Sequence, residues 1–147
     1  MSTLLALWVV VMGAGLSVQP LLNARLAGLA GHPIYGALVS VFVSTVTLAV
    51  TVLVARLAAP DVKALATAPL GLWTGGVIGA FVVLAALTAA PRLGAATTVA
   101  LFITGQLAAS LVLDHFGLLG VPVRPFDLTR TLGVACLVAG VVLIRWA

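Results

Sequence analysis

Two amide side chains stand where an apolar chain has least use for them. Gln19 lies in "GLSVQPLLNARLAG" (residues 15–28), with Pro20, Asn23 and Arg25 close by, and Gln106 lies in "LFITGQLAAS" (residues 101–110). Gly15, Gln19 and Asn23 are four apart and share one helix face. Phe102, Gln106 and Ser110 repeat that spacing, with Gly105 beside them. Amide-lined faces suit a neutral or zwitterionic polar solute. A carboxylate inside a membrane is the usual proton carrier and cation site, yet Asp61, Asp114 and Asp127 all fall at segment ends or in loops. Proton-coupled export of cations by the simplest scheme is therefore not expected. Asp114 and His115 are the one pair able to titrate, and their other reading is a helix end and the start of a loop. No Ser/His/Asp set shares a depth, no metal-ligand spacing occurs, and no Gly-rich phosphate loop precedes a Lys. Neither an enzyme nor a cofactor is expected.

The elements that position these residues follow from composition. The chain has 147 residues, of which 63% are hydrophobic and 7% charged, against about 25% charged in a soluble domain. Segments that are apolar all round belong in a large core or in a bilayer, and a chain this short cannot hide five of them. The sequence reads as an all-α, multi-pass integral membrane protein whose immediate partner is the lipid bilayer. A spanning helix needs about 20 apolar residues. Five segments qualify, at about residues 3–30, 34–57, 70–90, 93–113 and 128–146, in a single domain over 1–147. "GHP" (31–33) ends the first, since Gly and Pro punctuate helices. "AAPDVKALATAP" (58–69) is a loop, "PRLG" (91–94) a tight turn, and "DHFGLLGVPVRPFD" (114–127) a second loop. The apolar run "LLALWVVVMGAGL" has no positive side chain before it and continues into a longer helix, unlike a cleaved leader.

Within the first segment Gln19 lies ~5 Å from the midpoint and Arg25 ~13 Å, at 1.5 Å per residue. Arg25 can snorkel to the interface; Gln19 cannot, so its face is expected to point into protein. Pro20 is expected to kink the helix and free a carbonyl near residue 16. Gln19 and Asn23 alone would read as glue between helices. Gln106, at nearly the same depth in the fourth segment, turns the reading toward a shared solute site formed by Gln19, Asn23, Phe102, Gln106 and Ser110. Ser40, Ser44, Thr47 and Thr51 form a narrow hydroxyl stripe, either packing or lining. Gly71, Gly75, Gly76, Gly79 and Gly105, with Gly133 and Gly140, are candidate helix-packing positions. Cys136 is a lone cysteine with no metal spacing around it.

The seven basic residues form no cluster, so nucleic acid is not an expected partner; they read as interface anchors. Counted by alternate sides, Arg25, Arg92 and Arg145 stand against Arg56, Lys63, Arg124 and Arg130. Three against four is almost no orienting signal. Either one residue, such as Arg130 or Arg56, fixes the orientation, or the chain inserts both ways up. Two opposed five-helix chains would make ten helices related by an in-plane pseudo-two-fold axis, the inverted-repeat plan of secondary transporters.

The runs "QPLLNARLAGLAGHPIYGALVSVF", "LWTGGVIGAFVV", "PRLGAATTVALFITGQLAASLVLDHFGLLG" and "RTLGVACLVAGVVLI" together resemble the short, five-helix, YdcZ-like branch of the drug/metabolite transporter superfamily. The resemblance covers nearly the whole chain, and "GQ…S…DHFG" is its most specific part. It implies a bacterial inner-membrane fold that is half of a ten-helix transporter. It marks Gln19, Asn23, Gly75, Gly76, Gly79, Gly94, Gly105, Gln106, Asp114 and Gly117 as motif positions. "SVFVST" departs from it near Ser44, where the family tends to place a glycine. The expected function is transport of a small polar solute by an antiparallel homodimer, or by a pair with a similar five-helix chain. A small dual-topology channel and a non-transporting accessory subunit are the alternatives.

Overall fold

The computed structural model describes residues 2–146, and their side chains over residues 3–144. Arg145, one of the seven counted charges, lies outside the described side chains. Helix α1 is Ser2–Ala30, α2 Pro33–Val54, α3 Val62–Ala66, α4 Leu70–Leu93, α5 Ala95–Phe116 and α6 Leu128–Trp146, with a short 3-10 turn at Leu118–Gly120. There is no strand among the described residues. Helices α1, α2, α4 and α5 are long and apolar enough to cross a bilayer, and α6 is a shorter apolar helix. This is a five-helix membrane protein. At 1.5 Å per residue, α1 is about 44 Å long, well beyond a ~30 Å hydrocarbon layer.

The helix boundaries have local causes. Gly31 adopts φ +82° after α1, and Pro33 opens α2 at a position where a missing N–H costs nothing. His32 caps α2: its Nδ1 accepts from the Ile34 N–H at 3.2 Å. Helix α2 stops at Val54, three residues short of the expected end. The reason is a chain-reversing cap, in which the Arg56 N–H donates to the Leu53 carbonyl at 3.2 Å and the Leu57 N–H to the Val52 carbonyl at 3.1 Å. This is the 6→1 and 5→2 pattern of a Schellman motif, with Arg56 at φ +51°.

Three further expectations are corrected. The loop over 58–69 contains α3, which Asp61 nucleates by accepting from the Lys63 and Ala64 N–H groups, both at 3.0 Å. Pro91 does not end α4; the helix runs through it to Leu93. A proline so near the end removes one bond, to the carbonyl four residues back, and the reversal is made instead by Gly94 at φ +84°. Helix α5 runs one turn further than expected, to Phe116, so Asp114 and His115 belong to its last turn.

The chain divides into two compact units, Val18–Arg92 and the rest, with the division passing through α1 three residues before Pro20. In the first unit the core is small: Ala27 of α1, Ala37 of α2 and Leu87 of α4 are buried, with Ala24, Val83 and Leu84 packed around them. In the second, α5 packs against α6 and against the 3-10 turn. Most large apolar side chains elsewhere on the helices are exposed, as expected where lipid is the solvent.

The amide faces and the α5–α6 clamp

On α1 the buried positions are Pro20, Asn23 and Ala27, with Gln19 and Ala24 partly buried. That spacing is one helix face; of the row Gly15, Gln19 and Asn23 expected to face protein, Asn23 is buried, Gln19 partly buried and Gly15 exposed. Asn23 is only 6% exposed. Pro20 lies inside α1, which continues as helix on both sides of it. Pro20 has no N–H to offer the Leu16 carbonyl.

The depth of this face is fixed by a glycine that the sequence reading passed over. A Cβ at Gly36 of α2 would lie 2.6 Å from the Ala27 Cβ, 2.7 Å from the Asn23 carbonyl oxygen and 2.8 Å from the Ala27 Cα. Backbone therefore sits against backbone where α1 and α2 meet. Close approach through small residues is how helices associate where lipid removes the hydrophobic drive. The sequence signal was present as "YGALVS": Gly36, Ala37 and Ser40 fall on one face, and all three are buried.

The hydroxyl stripe on α2 resolves toward structure. Ser44 donates to the Ser40 carbonyl at 2.9 Å, Thr47 to Val43 at 2.8 Å and Thr51 to Thr47 at 2.8 Å. These donors are spent on their own helix.

In the other unit, Phe102 of α5 is partly buried while Gln106 and Ser110 are exposed. With α5 spanning Ala95–Phe116, Gln106 falls at the helix centre, closer to mid-membrane than the expected boundaries placed it. Gln19 and Asn23 thus fall in one unit, and Phe102, Gln106 and Ser110 in the other. The candidate packing glycines Gly71, Gly75, Gly76 and Gly79 of α4, Gly105 of α5, and Gly133 and Gly140 of α6 have open space where a Cβ would stand. Gly140 also lines an apolar groove of about 320 Å³ between α5 and α6, with Cys136, Ile103 and Val141.

Asp114 and His115 are brought into one clamp at the end of α5. Arg130 of α6 reaches Asp114 with its Nη1 3.3 Å from Oδ2 and donates to the Arg124 carbonyl at 3.4 Å. The Arg124 N–H donates to the Asp114 carbonyl at 2.7 Å. His115 Nδ1 accepts from the Phe126 N–H at 3.2 Å, and its ring lies 4.8 Å from Phe116, edge-on, and 4.6 Å from Phe126. Asp127 caps α6, accepting the Arg130 N–H at 2.7 Å. Gly117 turns the chain at φ +62°, where a Cβ would also lie 2.6 Å from Val123 Cγ2. Every polar group in this set holds the loop to the two helices, which is the helix-end reading of Asp114 and His115. Arg130 and Phe126 were not among the sequence candidates, because the contacts bridge 16 and 11 positions through a loop with no periodicity.

A family model described as "Putative inner membrane exporter, YdcZ" matches residues 4–143. The chain belongs to this family. The curated "Inner membrane protein YdcZ" of Escherichia coli (strain K12) is 43% identical over 54 residues, 35% of this chain and 36% of the relative. The match thus spans about a third of the relative's length. No solved structure matches the chain. Membership of the YdcZ family, with the apolar helices, makes this a multi-pass protein of the bacterial inner membrane. Of the positions the resemblance marks, Asp114 and Gly117 lie in the clamp, Gly94 makes the α4–α5 turn, and Asn23 lies on the buried α1 face.

Proposed function

We propose that this chain is half of an exporter for a small polar solute, completed by an antiparallel second copy or by a similar five-helix chain. The observation that carries the reading is Gln106, an exposed amide at the centre of a spanning helix. Ser110, one turn on, is exposed as well. A polar group cannot remain unpartnered in hydrocarbon, so this face calls for a partner helix or a water-filled cavity. A site at the interface of two opposed halves supplies both. Asn23, on the buried face of α1, and Gln19 are the further amides this reading assigns to solute binding. Exchange between outward- and inward-open states follows as the halves rock about the site, provided the solute binds the two states differently. Enzymatic chemistry and nucleic-acid binding play no part in this reading.

Topology is the experiment that tests it. Single cysteines at the C-terminus and at Lys63, in a Cys136→Ala background, are labelled from each side of intact cells. Labelling of each site from both sides is the expected result. Labelling from one side only removes the self-paired antiparallel model and leaves a partner chain of opposite orientation as the requirement. Saturable, exchangeable flux in reconstituted vesicles separates a transporter from a channel. Gln19→Ala with Gln106→Ala should abolish flux, whereas an accessory subunit would be indifferent to the pair.

A further inference from the structure

In the unit Val18–Arg92 the end of α1, the start of α2 and the end of α4 enclose a groove of about 310 Å³. Its walls are apolar, formed by residues such as Ala24, Ala27 and Leu87, and its lip carries His32, Thr88 and Arg92. The volume is that of a small ligand site.

Within its unit the charge at this lip meets no carboxylate among the described residues. Asp61 is the unit's only carboxylate. It lies beyond the opposite ends of α2 and α4 and is engaged as the cap of α3. The ion pair among the described residues, Arg130 with Asp114, is in the other unit. Arg92 is exposed and ends α4 at the level of the 31–32 turn, the level of a bilayer's polar headgroups.

The donors available can be counted. The N–H groups of Ile34, Tyr35 and Gly36 are all taken by His32, and Pro33 has none, so the α2 N-terminus offers no free amide. The Thr88 hydroxyl donates back to the Leu84 and Ala85 carbonyls, at 2.8 and 2.9 Å. What is left is the forked guanidinium of Arg92, suited to bidentate contact with phosphate oxygens, and Nε2 of His32, which carries the ring proton when Nδ1 accepts.

We propose that this groove holds the headgroup of an anionic phospholipid, with Arg92 on the phosphate, His32 as a second donor, and the glycerol end of the acyl chains along Ala24, Ala27 and Leu87. The apolar walls favour a lipid over a soluble anion, which would leave them uncovered. Depth and charge sign favour the same occupant.

The test uses the full-length protein in phosphatidylcholine bilayers containing spin-labelled phosphatidylglycerol or spin-labelled phosphatidylcholine. The readout is the relative affinity of the two lipids for the motionally restricted population. Wild type should prefer phosphatidylglycerol. Arg92→Gln should lose about tenfold of that preference, and Arg92→Lys should restore part of it. Gly28→Leu should also lose it with no charge removed. Gly28 lines the groove, and a Cβ there meets nothing within 4 Å, so the variant fills the groove while sparing the fold. Arg25→Gln removes the same charge from the same end of the unit but not from the groove, and should keep the preference. An unchanged Arg92→Gln overturns the proposal. So does an Arg25→Gln variant that loses as much as Arg92→Gln, since general surface charge then suffices. A Gly28→Leu variant that keeps the preference overturns the groove, and displacement of the labelled lipid by inorganic phosphate reassigns the site to a soluble anion.

Discussion

The corner where α1, α2 and α4 meet and the clamp that joins α5 to α6 are both tightly built, by opposite means. The corner uses almost no polar contact: Gly36 against the backbone of Asn23 and Ala27, Ala37 and Leu87 beside them. The clamp is made of an ion pair, loop-to-side-chain hydrogen bonds and packed aromatic rings around Asp114 and His115. The corner draws on residues flanking the end of one spanning helix and the start of the next; the clamp lies where a helix leaves the apolar layer. In the corner the attraction is one of shape, through small residues in close approach. In the clamp, water and headgroups compete for every polar contact, and the cluster holds only by combining several weak ones. The asymmetry predicts how each region fails.

The largest effect is expected at the corner. Gly36→Leu should destabilise the chain by about 3 kcal/mol, because backbone rather than a flexible side-chain tip blocks the new atoms; unfolding by SDS titration in mixed micelles reads it. A loss under 1 kcal/mol would mean the helices part easily and the corner is no core. Next is Gly117→Val in the clamp, at about 2 kcal/mol by the same titration. It forces a β-branched residue into left-handed backbone and against Val123. Smaller again is the ion pair itself. Its partners are 27% and 35% exposed, so a double-mutant cycle with Asp114→Asn and Arg130→Gln should return roughly 1 kcal/mol or less. A coupling of several kcal/mol would show that the clamp is dry and would erase the contrast with the corner. The smallest effect on folding is expected for Gly75→Leu, whose Cβ meets open space. If the α4 glycines serve a second chain, the same variant should abolish cross-linking between copies while its unfolding curve stays within about 0.5 kcal/mol of wild type.

Much of this architecture could be read from the chain. The five apolar segments, the Gly31–Pro33 break and the buried face around Asn23 follow from hydropathy and four-residue spacing, which are local properties. Errors gathered where the deciding contact was not local or where two local rules competed. Pro91 reads as a stop, but a proline in a last turn removes one hydrogen bond and the helix outlasts it. Leu57 reads as the end of an apolar run, but the run continues past the Arg56 cap, so hydropathy overshoots the hydrogen bonding. Gly36 was overlooked because repeated glycines elsewhere, at Gly71, Gly75 and Gly79, spelled a better-known pattern. Among the helical glycines it is Gly36 that meets a neighbour within the chain. The Asp114–Arg130 pair spans a loop whose path no periodicity announces.

Arg56 has a bearing on how such a chain is born. It holds left-handed backbone at the end of α2, a conformation that costs an L-residue about 1–2 kcal/mol and a glycine almost none. Glycine there would leave a better-folded protein. It would also remove one of four positive charges on its side and bring the count to three against three. Strain in the finished molecule thus accompanies a positive charge of the kind that weighs on orientation as helices insert. Position 56 is where the ribosome's product and the bilayer's product want different residues.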